Sequence, residues 1–211
     1  MEKPSGYTVL LDASVLFPVF TSNLLLFLAE RQLFRARWTA KIHEEWIDSR
    51  MERYPNGKRE ALERKRDVMD FQFPDALVTG YEGMIDQIDL PDPDDKHVLA
   101  AARSCKADVI VSNNSRNDFE DFPADILAPL GLFAQTADDF IADQVGVSAE
   151  SGKMVAISIV RHKKSLTRSR PTWKQYFAEL QTKLPHAFSE MNTSHFRRVI
   201  AEVISSGEWA I

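Results

Sequence analysis

The chain has 211 residues, of which 44% are hydrophobic, and it carries 31 acidic against 26 basic side chains. This length and composition predict a globular protein with one sizeable core, or a core domain with a small appendage. A single cysteine excludes a disulfide within the chain, and the longest apolar cluster, residues 24–29, is too short to span a bilayer. Because residues 1–6 also lack the pattern of a secretory signal, we expect a cytoplasmic protein that does not enter a membrane.

The first predicted element is a buried strand that ends at Asp12. Apolar residues surround this carboxylate on both sides, at positions 9–11 and 13–17. A carboxylate in such a segment is costly unless it is paired or bound to a cation. The pattern therefore favours a functional role for Asp12, with a helix or turn cap as the alternative.

Helices are predicted next, from capping residues and apolar spacing. Ser22 and Asn23 can cap a helix that continues to Leu33, Thr39 can cap a second helix, and two more are expected over 58–71 and 81–88. Glu45 lies beside Trp46 on a partly apolar face of the second helix. The neighbouring residues Glu44 and Asp48 make a solvated acidic face an equally good explanation of Glu45.

Three carboxylates occupy the start of the next predicted helix, at positions 92, 94 and 95. Asp92 before Pro93 fits a helix cap, which accounts for only part of this acidic cluster. Counting three and four residues onward from Asp95 reaches the core-facing positions of the helix, so Asp95 should point inward over the sheet. Asp94 is the weaker candidate. His97 is predicted to lie on the helix surface or behind the ligands of a site.

Two more strands are predicted, over 108–112 and 132–135, and the first is followed by a polar segment. Alternating strands and helices predict an α/β fold with a central parallel sheet and helices on both faces, in which ligands bind beyond the carboxyl ends of the strands. Ser112, Asn114 and Asp118 would then reach the same crevice as Asp12, although an Asx-rich turn also explains them. Oxygen ligands of this kind select a hard cation such as Mg²⁺ or Mn²⁺.

The last part of the chain differs in charge from the rest. Residues 1–146 hold 16 Lys and Arg against 26 Asp and Glu, whereas residues 147–211 hold 10 against 5. The segment 146–152 has a turn-forming composition. We therefore predict a main domain over 1–146 and a basic helical extension over 147–211, with three helices near 154–164, 172–184 and 194–205.

In their order, the motifs around Asp12, Glu45, Asp95 and Ser112, ending in the pair Asp118-Phe119, closely resemble those of PIN-domain ribonucleases, including VapC-type toxins. The resemblance covers roughly residues 7–142. It implies a three-layer α/β/α PIN-like fold. By motif match the first, second and third acidic positions of the family fall on Asp12, Glu45 and Asp95. Ser112 replaces the usual Thr, and the fourth acidic position falls on either Asn114 or Asp118.

The resemblance implies hydrolysis of RNA phosphodiester bonds with one or two Mg²⁺ ions, or Mn²⁺, held by Asp12, Asp95, Glu45 and Asp118. It also implies, for a toxin, a cognate antitoxin and a toxin homodimer. An acidic cleft repels RNA, so cations must hold the backbone. Two groups could do so: Arg50, Arg53, Lys58, Arg59, Arg64, Lys65 and Arg66 on the predicted helices, and Arg161, Lys163, Lys164, Arg168 and Arg170 in the extension.

Three alternatives were weighed against a toxin nuclease. A phosphatase of the haloacid dehalogenase type needs a second Asp two residues after the first, where this chain has Ser14. A non-catalytic PIN-like binding module is disfavoured by the joint presence of Asp12, Glu45 and Asp95. A housekeeping RNA-processing nuclease fits the same residues as a toxin does.

Overall fold

The computed structural model describes residues 6–113 and 121–210. Within these residues the contacts divide the chain into two compact units. The sheet unit comprises residues 6–19 and 35–136, and the helical unit comprises residues 20–34 and 137–210. The domain boundary placed after residue 146 from the sequence stays a prediction.

A four-stranded parallel sheet forms the centre of the sheet unit, which confirms the predicted α/β class. Its strands are β1 (Thr8–Leu11), β2 (Arg35–Arg37), β3 (Val109–Val111) and β4 (Phe133–Gln135), in the order β2-β1-β3-β4. Leu10 is paired with Ile110 in the register that joins the two central strands. Both central strands are continuous apolar runs because each is buried on two faces.

The helices follow one another in chain order through the described residues. They are α1 (Ala13–Leu16), α2 (Val19–Glu30), α3 (Ala40–Arg53), α4 (Arg59–Gln72), α5 (Lys96–Ser104), α6 (Ala124–Leu127), α7 (Ala137–Gly146), α8 (Ala149–Ser165), α9 (Trp173–Lys183), α10 (Pro185–Met191) and α11 (Ser194–Ser206). Short 3₁₀ helices lie at Glu82–Gln87, Pro93–Asp95, Ala128–Leu130 and Glu208–Ala210. No helix among these residues is both long and apolar enough to span a lipid bilayer.

Most predicted elements of the sheet unit are present, and the additions include β2, α1 and the short helix α6. Thr39 caps α3 as predicted, its side chain accepting a hydrogen bond from the backbone N–H of Ile42. Strand β2 is absent from the sequence prediction because Arg-Ala-Arg is short and charged, and only Ala36 is buried in it. Helix α1 is also absent from the prediction, because its residues continue the apolar run of β1.

The helical unit packs around buried aromatic rings. Tyr176 and His162 are buried and joined by a hydrogen bond of 2.8 Å, and the ring of Phe20 lies against both. Ser158 joins α8 to α2 by donating to the carbonyl of Phe27 at 3.1 Å. Helix α10 is held to α7 by Asp138, whose carboxylate accepts two backbone hydrogen bonds from the start of α10.

Three details of the sequence prediction are wrong in this unit. Helix α2 begins at Val19, so Ser22 is a buried residue inside it and not its cap. Four helices follow α7 where three were predicted, because α10 occupies residues that the prediction left between helices. The segment 146–152 is largely helical, since Ser148 caps α8 by accepting from Ser151 N–H.

Candidate metal centre

Asp12 lies at the carboxyl end of β1 and also begins α1. Its backbone N–H donates to the carbonyl of Val111 at 3.0 Å, which continues the pairing of β1 with β3. Its side chain accepts from the N–H of Ser14 and thereby caps α1. Asp12 therefore both ends the strand and caps the helix, the two roles that were alternatives from the sequence. Its side chain is buried, since the residue is 2% exposed.

Two serine hydroxyls hold the Asp12 carboxylate by one oxygen. Ser14 Oγ donates to Asp12 Oδ2 at 2.7 Å, and Ser112 Oγ donates to the same atom at 2.9 Å. Ser14 Oγ in turn accepts from the backbone N–H of Asn113 at 2.8 Å. No donor from the described part of the chain reaches Asp12 Oδ1, so this oxygen can take a further ligand.

Ser14 is a site residue that the sequence analysis missed. It was considered only as the residue that excludes a haloacid dehalogenase phosphatase. Its spacing of two residues from Asp12 is the local signal, because a serine at this distance from a helix-capping Asp can donate back to the carboxylate. Ser112 lies where the sequence predicted it, directly after β3 and buried.

Asp95 is the most perturbed acid of the site. It ends the 3₁₀ turn that Asp92 caps and lies 9% exposed before α5, so its side chain is removed from solvent as the helical spacing predicted. Burial, followed by the negative charges of Asp12, Asp121, Asp92 and Glu45, raises the pKa of the Asp95 carboxyl to about 7. These four acids therefore lie close enough to act on Asp95 through space.

Glu45 is held by the buried His97 on α5. The Nε2 atom of His97 lies 2.9 Å from Glu45 Oε1, and Lys41 lies one turn back on α3 at 3.7 Å from the same oxygen. Glu44 and Asp48 are exposed, and Asp48 is paired with Arg59. Glu45, whose side chain is 34% exposed, thus differs from these two acids in having a buried partner.

The sequence analysis also missed Asp121, an acidic residue near Asp95. Asp92, Asp95 and Asp121 each offer a carboxylate oxygen within 4.8 Å of the other two. Two Asp-Phe pairs follow β3 closely, at 118–119 and 121–122, and the sequence analysis used only the first. Asn114 and Asp118, the predicted candidates for the fourth position, lie outside the described residues.

The donor set fits a hard divalent cation. Asp92, Asp95 and Asp121 offer neighbouring carboxylate oxygens, the ligands preferred by Mg²⁺ and Mn²⁺, and the charge of Asp12 also acts on Asp95. Crowded carboxylates repel one another, and this repulsion adds to burial in raising the pKa of Asp95, so a bound cation would relieve it. His97 directs Nε2 at Glu45, which suits it to orienting this carboxylate.

Comparisons with known proteins place this chain in a family. The model of a PIN domain family matches residues 8–116, about half of the chain. A Mycobacterium tuberculosis protein named "Putative ribonuclease VapC50" is 41% identical over 66 residues, which are 31% of this chain and 37% of that protein. The match thus spans little more than a third of the relative's length. No solved structure matches the chain. The extent of the family match shows that the chain belongs to the PIN-domain family.

Proposed function

We propose that this protein is a Mg²⁺-dependent ribonuclease that hydrolyses RNA phosphodiester bonds and acts as the toxin of a toxin–antitoxin pair. One observation carries the proposal: Asp92, Asp95 and Asp121 bring carboxylate oxygens within 4.8 Å of one another, where burial and neighbouring acids raise the pKa of Asp95 to about 7. Perturbed carboxylates of this kind cluster at functional sites. The PIN-domain match and the ribonuclease name of the partial relative support the choice of substrate.

Asp12 and Asp95 are the principal metal ligands in this proposal, and Asp121 and Asp92 complete the acidic set. Glu45 is a ligand of a second ion or the group that orients the attacking water. Asn114 and Asp118 stay predicted members of the polar wall. When bound, Mg²⁺ or Mn²⁺ would lower the pKa of water and neutralise charge on the phosphate.

The other residues of the site hold these carboxylates in place. Ser14 and Ser112 fix Asp12 through Oδ2 and leave Oδ1 directed to a ligand. His97 holds Glu45 through Nε2, which restricts its rotamers. Residues fixed in this way lose little entropy when a substrate binds, and this preorganisation is a main source of catalytic rate.

The partners follow from the toxin assignment. A cognate antitoxin would cover the acidic site, the substrate would be cellular RNA in the cytoplasm, and the toxin would form a homodimer. The VapC name of the partial relative favours this assignment over a housekeeping RNA-processing nuclease.

The experiment is brief induction of the wild-type chain in a bacterial host, followed by sequencing of RNA 5′ ends and measurement of growth. New 5′ ends at defined sites together with growth arrest support the proposal. Asp12→Asn should abolish both, whereas Asp94→Asn, at an exposed neighbour of Asp95, should keep both. Cleavage without arrest would favour a processing enzyme, and equal effects of wild type and Asp12→Asn would refute a nuclease at this site.

A further inference from the structure

The end of α8, the start of α9 and the connection between them carry five cations, which we call the basic patch: Lys163, Lys164, Arg168, Arg170 and Lys174. Between residues 151 and 178 the chain has seven Lys and Arg and no Asp or Glu. This segment lies outside the PIN family match, which ends at residue 116. The PIN domain therefore does not account for it.

Backbone hydrogen bonds fold this connection tightly. The N–H of Arg170 donates to the carbonyl of Leu166 at 2.8 Å, and Arg170 Nε donates to the carbonyl of Thr167 at 3.1 Å. The ammonium group of Lys163 lies 5.0 Å from the ring centroid of Trp173, the first residue of α9. The cations at the end of α8 are thus held beside those at the start of α9.

Ion pairing distinguishes four other cations of the helical unit from the basic patch. Lys153, Lys183 and Arg198 are each paired with a glutamate, at 2.9, 3.7 and 3.9 Å. Through the ranges 6–113 and 121–210, none of the five patch residues forms a salt bridge. The patch is therefore a concentration of positive charge without internal compensation.

Helix dipoles explain only part of the patch. Lys163 and Lys164 lie in the last turn of α8, where the negative end of the dipole favours cations. Lys174 lies in the first turn of α9, where the dipole disfavours a cation, and that turn holds no acid. Arg168 and Arg170 belong to neither helix and are exposed. An external polyanion would offset this unfavourable arrangement.

Part of the basic group on α3 and α4, the other candidate from the sequence, is paired within its own surface. Arg59 donates to Asp48 at 2.7 Å and to Glu63 at 3.2 Å. Arg66 is paired with the neighbouring Asp67 at 2.8 Å. Charges that are neutralised within their own surface contribute little to binding a backbone phosphate.

We propose that the basic patch binds the phosphodiester backbone of the RNA substrate, an inference that rests on the proposed ribonuclease function. Two exposed arginines suit phosphate recognition, because the guanidinium presents several donors in a planar fork. The ring of Trp173 is already in contact with Lys163 and is stacked with Phe177, whose ring centroid lies 5.7 Å away. Recognition therefore rests on the cations, and a series of backbone phosphates is the polyanion that neutralises several of them at once.

The test measures binding without cleavage. Fluorescence anisotropy of a labelled single-stranded RNA is recorded in EDTA, over a series of salt concentrations, with the full chain. The patch variant is Arg168→Gln, Arg170→Gln and Lys174→Gln together. The matched control is Lys153→Gln, Lys183→Gln and Arg198→Gln, which removes the same charge from ion-paired positions of the same unit.

The patch variant should bind RNA at least about tenfold more weakly than wild type at low salt. The slope of log affinity against log salt should also become shallower by about two, because three lost phosphate contacts contribute about 0.7 each. The control variant should stay within about twofold of wild type. Equal losses in the two variants would overturn the proposal, because bulk charge would then explain them. A polyglutamate peptide that binds wild type when RNA does not would overturn it in favour of an acidic protein. A single-stranded DNA of the same base sequence is the last probe. If it binds wild type as tightly as the RNA does and is weakened equally by the patch variant, the patch contacts phosphates but is not specific for RNA.

Cleavage is measured in parallel with Mg²⁺ to separate the two proposals. RNA that binds through the patch without being cut supports the patch and contradicts the ribonuclease function. RNA that the patch variant binds and cuts as wild type does contradicts the patch alone.

Discussion

His97 Nε2 lies 2.9 Å from Glu45 Oε1, so a buried imidazole on α5 holds a carboxylate that reaches it from α3. This contact joins two helices that sequence analysis treated separately. It also fixes the position of the acid whose function was least certain from its own pattern.

Replacement of His97 should therefore impair cleavage through Glu45. His97→Leu loses the Nε2 donor, and loss of a group that orients a site carboxylate typically costs about 10- to 100-fold in activity, so kcat should fall by about that factor. His97→Gln can still donate from its amide and should recover part of this loss. Steady-state cleavage of a defined RNA, with melting temperatures to exclude unfolding, checks this prediction. Equal kcat values for the Leu and Gln variants would contradict it.

Asp95 should make metal-free stability depend on pH. Its pKa is raised from 3.8 to about 7 in the folded chain, so between these values the folded chain keeps a proton that the unfolded chain has released. Stability is therefore lost as pH rises through this window. In EDTA, Asp95→Asn should melt near the wild-type temperature at pH 4.5 and several degrees above it at pH 8, since about 1 kcal/mol corresponds to about 2–4 °C in a chain of this size.

Metal should reverse this difference at pH 8. Saturating Mg²⁺ should raise the melting temperature of wild type, because binding to the folded state alone stabilises it, and should raise that of Asp95→Asn much less. Asp94→Asn, with its exposed side chain, should behave as wild type in both solutions. An unchanged wild-type melting temperature in Mg²⁺ would contradict the assignment of Asp95 as a ligand.

Protonation of His43 should destabilise the folded chain at acidic pH. Trp46 Nε1 donates to His43 Nδ1 at 2.9 Å, and His43 Nε2 lies 3.2 Å from Asp70 Oδ1, so the neutral ring carries its proton on Nε2. Burial lowers the pKa of His43 below 6.5, despite the raising effect of Asp70. The stability that this group contributes is thus present above pH 6.5 and is lost as pH falls below it.

The check is urea unfolding of wild type and His43→Gln at pH 7.5 and pH 5.5. Loss of this buried network should cost about 2–3 kcal/mol at pH 7.5 and less at pH 5.5. His195→Gln, at an exposed residue of α11, is the control and should show no such trend. A cost that grows toward pH 5.5 would contradict the assigned tautomer.

Asp138 should stabilise the helical unit as a cap. Its two carboxylate oxygens accept from the N–H groups of His186 and Ala187 at 3.0 and 2.8 Å, at the start of α10. Asp138→Ala should lower the free energy of unfolding by about 1–2 kcal/mol, the usual contribution of a capping residue. Asp139→Ala, which removes an exposed pair with His186, should cost less in the same measurement. A larger loss in Asp139→Ala would contradict this account.

The positions of Asp12 and Asp95 could be predicted from the sequence because each depends on one secondary-structure element. Asp12 was predicted at the end of a buried strand, and Asp95 was predicted to point inward from helical spacing. Both lie buried where expected. These predictions succeed because strand ends and helix faces are set by local patterns of apolar residues.

The residues that sequence analysis missed depend on contacts between segments. Ser14 joins the site through Asp12 and the backbone of Asn113, which is distant in sequence. Asp121 is brought to Asp95 by the chain after β3, and its Asp-Phe pair could not be ranked against the pair at 118–119 by composition alone. Strand β2 has too few apolar residues to be found without its pairing to β1.

The central claim is that the carboxylates around Asp95 hold the metal with which this protein cuts RNA. The most direct measurement is Mg²⁺-dependent cleavage of total cellular RNA by the purified chain, compared between wild type, Asp95→Asn and Asp94→Asn. The adjacent residues differ in burial, since Asp95 is 9% exposed and Asp94 lies on the surface. We expect wild type and Asp94→Asn to cleave RNA at the same rate and to lose this activity in EDTA. Asp95→Asn should cleave at least about 10²-fold more slowly, as expected for loss of a group that acts mainly in the transition state. Cleavage by Asp95→Asn at the wild-type rate would contradict the account.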